Sequence, residues 1–336
     1  MSVDGSRPHG RRPRRIVALG GGTGLPGVLR GLRALAPSDD ATALTAIVAM
    51  SDDGGSSGRL RRSRGLPPPG DVRNCLVALS AEEDLLAGLF QHRYGGEREL
   101  GGHNLGNLIL AALAEQTGSF LRAVDVSSRV LRTVGRILPV TLEDVVLEAR
   151  LADGSTLEGE STIGASERPI VRVALRPDSA RPTPGVVEAI HDADLVVLGP
   201  GSLFTSVIPC FALVEVARAL RETRAVRVLV ANLVGEPGEG VGLKIEDHVR
   251  LIEEHAGGRI LDAVLKNEGP IDEATLRRYR AEGSVPLVAS GSLGGIRVVR
   301  RDLLASGPKL RHEPTRTTDG LVAVWRQLRP VGVGES

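Results

Sequence analysis

The chain has 336 residues, 41% hydrophobic and 25% charged, ordinary globular usage that excludes a disordered or fibrous protein. A net charge of +1 supplies no field for DNA or an anionic membrane, and 2% aromatic residues leave no ring ladder for single-stranded nucleic acid. Neither a nucleic-acid partner nor a membrane span is expected, since no run approaches the ~20 apolar residues of a transmembrane helix.

In chain order, residues 1–14 read as a disordered basic leader, and residues 15–330 as a single Rossmann-like α/β domain. Ile16 to Leu19 is a buried strand that ends in Gly20-Gly21-Gly22-Thr23-Gly24 and runs into a helix from Val28 to Leu35. Leu44 to Met50 repeats the pattern and exits into Ser51-Asp52-Asp53-Gly54-Gly55-Ser56-Ser57-Gly58-Arg59. Residues 72–134 read as helices joined by short loops, and residues 145–176 as a small antiparallel β insertion. The α/β rhythm returns with a helix from Gly185 to His191 and a strand from Asp194 to Leu198, followed by Gly199-Pro200-Gly201-Ser202. Further strands are expected at Val226–Val230 and Ile260–Leu265, before a tail at 331–336. The fold class is α/β, a mainly parallel sheet with helices on both faces. Cys75 and Cys210 show no metal-ligand spacing and point to a reducing compartment, the cytoplasm.

Open parallel sheets bind ligands beyond the carboxyl ends of their strands, where helix N-termini present unpaired N–H groups. The candidate ligand residues sit there. Gly22, Gly24 and Gly27 fit the dinucleotide pattern G-x-G-x-x-G in a strand-loop-helix setting, which makes Gly21, Gly22, Thr23, Gly24 and Leu25 phosphate-binding candidates. In the second loop Gly54, Gly55, Ser56 and Ser57 offer an anion nest, while Asp52 and Asp53 suit a ribose or a Mg²⁺ ion; helix capping competes. Pro67-Pro68-Pro69-Gly70-Asp71-Val72-Arg73-Asn74 adds Asn74 as a polar contact, with Asp71 as an alternative N-cap. His103, Asn104 and Asn107 lie in a glycine-rich helix start; His103 fits hydrogen bonding better than general-base work, because no Ser or Cys elbow accompanies it. Gly199, Pro200, Gly201 and Ser202 form another phosphate-type turn, and Asn232, Lys266 and Asn267 mark later strand exits.

Together Gly20-Gly-Gly-Thr-Gly-Leu-Pro, Ser51-Asp-Asp-Gly-Gly-Ser-Ser-Gly-Arg-Leu, Pro67-Pro-Pro-Gly-Asp-Val-Arg-Asn, Phe90-Gln-His-Arg, Gly102-His-Asn-Leu-Gly-Asn and Gly199-Pro-Gly-Ser-Leu-Phe-Thr-Ser resemble the bacterial gluconeogenesis factor family. The resemblance runs from about Arg15 to about Leu328, and the wider CofD-like superfamily includes 2-phospho-L-lactate transferase, an enzyme of deazaflavin-cofactor biosynthesis. It implies a cytoplasmic protein that binds UDP-sugars such as UDP-N-acetylglucosamine and serves growth on gluconeogenic carbon sources and cell shape. It also implies ligand contacts from Tyr279, packing on a base or sugar, and from Arg311, pairing with phosphate. The segment Gly235 to Lys244 departs from the family pattern.

Three functional readings follow. The first is a nucleotide-sugar-binding regulator, without turnover, that acts through an unidentified protein partner; homo-oligomerisation is left open. The second is a 2-phospho-L-lactate transferase-like enzyme, with Mg²⁺ at Asp52 and Asp53 and with His103 as a further catalytic candidate. The third is an NAD-binding protein, weakened because the acidic pair begins about 30 residues after the glycines where the fingerprint places its acid ~20 residues on. The ligand under these readings is a UDP-sugar, GDP or NAD.

Overall fold

In a computed structural model, described for residues 12–37, 40–81, 85–96, 100–235, 243–289 and 293–329, unbroken apolar runs form the centre of a parallel sheet. Strands β1 (Ile16–Gly20) and β2 (Leu44–Val48) are buried at every position, the signature of a sheet covered on both faces. Helix α1 (Gly24–Leu32) crosses between them and continues in a 3₁₀ turn, Arg33–Leu35.

After β2 come α2 (Gly55–Arg64), which opens inside the stretch read as a glycine-rich loop, and then α3 (Gly70–Leu79), α4 (Leu85–Gln91), α5 (Leu105–Thr117) and α6 (Phe120–Val130), which fill the expected helical segment. Strand β3 (Arg136–Pro139) then joins the main sheet. The insertion consists of β4 (Val146–Leu151), β5 (Thr156–Glu158), α7 (Glu160–Gly164) and β6 (Ile170–Arg176), in an antiparallel sheet ordered β5-β4-β6. Next are α8 (Val186–His191), β7 (Leu195–Leu198), a π-helical turn at Leu203–Val207, a 3₁₀ turn at Ile208–Phe211 and α9 (Val214–Glu222). The chain closes with β8 (Val226–Val230), α10 (Ile245–Ala256), β9 (Ala263–Asn267), α11 (Glu273–Ala281), β10 (Arg297–Arg301) and α12 (Pro314–Leu328).

The seven-stranded sheet runs β10-β9-β8-β7-β1-β2-β3, and every neighbouring pair is parallel. From β1 the chain builds outward through β2 to β3, then returns to the other side of β1 at β7 and builds outward through β8 to β10. The strand order therefore reverses between β1 and β7, and the crevice beyond their carboxyl ends is the topological switch point.

Several expectations need correction. Strands β3 and β10 were not foreseen: β3 has four residues and ends in Pro139, and β10 sets Val298 and Val299 among Arg297, Arg300 and Arg301 on the sheet edge. Charge is how edge strands resist pairing with other chains, and it hides their apolar pattern. Strand β9 begins three residues later than expected, because Ile260 and Leu261 are buried ahead of the ladder. Helix α1 begins at Gly24. Of the expected leader only residues 12–14 are described, and there Arg14 N–H donates to Asp194 Oδ2 at 2.7 Å; the tail 331–336 and residues 236–242 of the divergent loop lie outside the described residues. Among the described residues no single helix is long and apolar enough to cross a membrane.

Candidate functional site

The loops after β1 and β7 meet at the switch point. Gly22 sits at φ +61°, and a Cβ on Gly24 would lie 2.3 Å from Pro200 O, so these two positions of the turn exclude larger residues. Gly201 N–H donates to Asn232 Oδ1 at 2.9 Å, and Asn232 Nδ2 donates to Gly201 O at 2.9 Å. Asn232 thus fixes the β7 loop to the exit of β8 through one bond at each end of its amide. Ser202 Oγ accepts from Thr205 N–H and Oγ1 at 3.3 and 2.7 Å, which starts the π-helical turn. That turn carries Ser206, whose side chain lies against both Gly22 and Gly201. Leu25 is buried, so only its backbone faces the loop, and Thr23 is exposed.

The β2 loop joins the same rim through α3. Gly70 packs against Asp52 and Ser57, while the next residue, Asp71, accepts the Gly22 N–H at 2.7 Å. The expected N-cap role of Asp71 is not found: α3 has Pro69 at its cap and no side-chain capping bond, because the Asp71 carboxylate is turned to the β1 loop. Asp52 Oδ1 accepts from Gly54 N–H at 3.0 Å. Asp53 Oδ1 accepts from the N–H and Oγ of Ser161 at 2.9 and 2.6 Å, so α7 of the insertion contributes to the site. Gly55, at φ +43°, opens α2.

The electrostatics are those of crowded carboxylates. Burial pushes Asp71 up to about 6, with Asp52 adding and the Gly22 N–H opposing. Glu160 is pushed up to about 8, first by burial and then by the charges of Asp52, Asp71 and Asp53. The nearest buried cation is Arg73, drawn down to about 10 by burial and by Arg93, with Asp71 and Asp52 opposing. Its guanidinium donates to Asn107 Oδ1 at 3.1 Å and Asn74 Oδ1 at 2.6 Å, while its buried Nε has no partner. Asn74 and Asn107 therefore hold Arg73 in place. Among the described residues no three His, Cys, Asp or Glu side chains close into a metal-binding group.

His103 bridges Ser56 and Arg59. Arg59 Nε can only donate, so His103 Nε2 accepts at 3.1 Å, and the neutral ring keeps its proton on Nδ1, 3.1 Å from Ser56 Oγ. Ser56 Oγ also accepts from Asn104 N–H at 3.3 Å. The serine proton is thus not taken by His103, which does not act as a base towards this buried hydroxyl. Burial and the Arg59 charge both lower the His103 pKa, in keeping with a neutral ring. Asn104 caps α5, accepting from Gly106 and Asn107 N–H at 3.0 and 3.4 Å.

The remaining candidates form a second group at the exits of β8 and β9. Lys266 Nζ donates to Asn267 O at 2.9 Å, and Asn267 Oδ1 accepts from Gly269 and Leu303 N–H at 3.1 and 2.9 Å. Tyr279 OH accepts from Leu310 N–H at 3.0 Å, and Arg311 is exposed beside it in sequence. The group meets the first where His312 Nε2 lies 3.2 Å from Ala231 O, next to Asn232. Sequence reasoning passed over Arg73, Glu160 and Ser161, and noted Ser206 only as lying close behind the Gly199–Ser202 turn. Arg73 lay inside a motif already singled out, whereas Glu160 and Ser161 carry no local signal. Two clefts of about 370 and 530 Å³ open elsewhere, but donors and charges converge on the loop rim.

Comparison with known proteins agrees with this geometry. A family model described as 2-phospho-L-lactate transferase CofD matches residues 16–304. The gluconeogenesis factor of Bacillus subtilis is 39% identical over 95% of this chain and 100% of its own length. Relatives from Nostoc sp. and Deinococcus radiodurans are 42% and 43% identical over 91% and 94% of this chain, which spans only 67% and 66% of their lengths. A crystal structure of a UPF0052 family protein from Bacillus halodurans superposes with a TM-score of 0.86 at 38% identity, covering 92% of this chain and 98% of that one. With a parallel sheet, a glycine-lined switch point and likeness over nearly the whole chain, the protein belongs to the CofD family, among the gluconeogenesis factors.

Proposed function

We propose that the protein is a cytoplasmic regulator that binds a nucleotide sugar of the UDP-N-acetylglucosamine type at the β1–β7 switch point and acts through a protein partner in carbon use and cell-shape homeostasis. The observation that carries this reading is the convergence of the Gly22–Gly24 and Gly199–Ser202 loops on the place where strand order reverses, with Gly24 against Pro200. The glycine turns of both loops bring backbone close to the crevice, the Ser56 hydroxyl offers a donor towards a diphosphate, and Arg311 suits its outer charge, while the Gly22 and Gly201 N–H groups stay on Asp71 and Asn232. A Cβ on Gly27 would meet no atom within 4 Å, so the third glycine of the dinucleotide fingerprint does not serve close helix packing, which weighs against NAD.

A second reading, a CofD-like phosphotransferase, is favoured by the carboxylates of Asp52 and Asp53. Hard oxygen donors fit Mg²⁺, which takes one or two protein carboxylates and completes its shell with phosphate and water. Such an ion would offset the negative charge that Asp52 and Asp53, with Asp71 behind them, present to a phosphate ligand, whereas Glu160, pushed up to about 8, is largely protonated at neutral pH.

Isothermal titration with UDP-N-acetylglucosamine, GDP and NAD, with and without Mg²⁺, separates the readings. Tightest binding of the UDP-sugar supports the regulator, and preference for NAD overturns it. Transfer of a phosphate ester to a deazaflavin acceptor, abolished by Asp53→Asn, supports the enzyme.

A further inference from the structure

The small antiparallel sheet carries a second concentration of charge, away from the glycine loops. In the β4–β6 ladder Arg150 stands directly opposite Arg172. Like charges at facing positions destabilise a sheet, and neither guanidinium has a hydrogen-bond or ion-pair partner among the described residues. The neighbouring Arg176 shows what a balanced arginine looks like on this face: it pairs with Glu148 at 2.7 Å and also with Asp178, which leaves neither acid for the other two arginines.

Both arginines line a cleft of about 370 Å³ between this face and the segment Ala212–Val214. His255 closes one side. Its Nε2 accepts the Val173 N–H at 3.0 Å and its Nδ1 donates to Leu251 O at 2.6 Å, so the ring is neutral and adds shape without charge. Burial is the main cause that lowers the His255 pKa, with the Arg172 charge contributing. Two uncompensated positive charges therefore border a concavity at the small end of ligand-pocket sizes, roughly 300–1,000 Å³.

We propose that this cleft binds a small phosphate-bearing anion, clamped by Arg150 and Arg172. Arginine's planar fork matches a phosphate group in bidentate fashion, and a dianion balances the pair. The site is separate from the nucleotide-sugar proposal. Its walls nevertheless connect to it in the chain: Ala212 follows the turns that leave Ser202, and α7, between β5 and β6, carries Ser161 to Asp53.

The test is isothermal titration of the full chain with inorganic phosphate and with glucose 6-phosphate at constant ionic strength, comparing wild type with Arg150→Gln, Arg172→Gln and Ser56→Ala. Either arginine variant is expected to weaken binding roughly tenfold or more, the loss of a charge-assisted contact, and Ser56→Ala, in the glycine loops, to leave this arginine-dependent binding unchanged. Stronger binding of the ester than of free phosphate identifies a metabolite, and equal binding identifies the phosphate group itself. Both arginine variants should melt no lower than wild type without phosphate, since they relieve repulsion, and Arg150→Lys should bind better than Arg150→Gln. The proposal is overturned if wild type binds neither probe, if both Gln variants bind as wild type does, or if only Ser56→Ala loses binding, which puts the anion at the glycine loops.

Discussion

Replacing Asp71 by Asn probes the crowded carboxylates through a single atom. The Asp71 carboxyl is raised from 3.8 to about 6, chiefly by burial, while the unfolded chain ionises it near 3.8. The folded state thus holds this proton more tightly. The stability contributed by the group is fully present below pH 3.8 and is lost as pH rises through about 6. At about 1.36 kcal/mol per pH unit, the difference comes to about 3 kcal/mol near neutral pH. Asn keeps an oxygen for the Gly22 N–H and carries no charge, so Asp71→Asn is expected to be about 2–3 kcal/mol more stable than wild type at neutral pH. The two proteins should converge as pH falls towards 3.8. Urea unfolding followed across this range measures the effect, and a gain independent of pH, or a loss at neutral pH, refutes the reasoning.

Asn232→Ala removes both bonds to Gly201 and is expected to lower stability by about 2 kcal/mol, read by urea unfolding; an unchanged midpoint would show that the β7 loop is held by other contacts. Gly24→Ala forces a methyl against Pro200 O and should destabilise by about 1–3 kcal/mol and weaken binding of the proposed nucleotide ligand, whereas Gly27→Ala, with open space around it, should stabilise by up to about 1 kcal/mol. Thermal melts of the pair test this, and equal shifts would contradict the close approach at Gly24. His248 is buried and pushed down to about 4 from 6.5, so its contribution is present above 6.5 and lost as pH falls through about 4; His248→Leu should escape that loss, about 3 kcal/mol in all, in unfolding curves taken across the range.

Much of this architecture was legible because burial on both faces leaves runs such as Ile16–Leu19 and Leu44–Val48 with no polar interruption. Glycines were informative where geometry demanded them, at Gly22 and Gly24. The charged edge strand β10 was illegible, since its pattern serves to repel other chains as well as to pack. The polar candidates were harder to rank than to find. Asn74 and Asn107 belong to the site's neighbourhood, but their amides are turned to Arg73, and Asn232 is spent on Gly201. Spacing marks a residue as near a strand end; it does not say whether the side chain faces a ligand or a neighbour. Ser161 reaches Asp53 from an insertion 108 positions away, a pairing that no local pattern encodes.

The sheet's central seam has a consequence for how the molecule comes into being. Ile16 pairs with Leu195, so β1 keeps one naked edge while the helical segment and the insertion are synthesised and begin to fold. Pairings so distant in sequence close slowly, and an unpaired apolar strand is a template for aggregation in the interval. The switch-point crevice is therefore assembled late, and a nascent chain that halts before β7 emerges has half a scaffold without the loops that meet there.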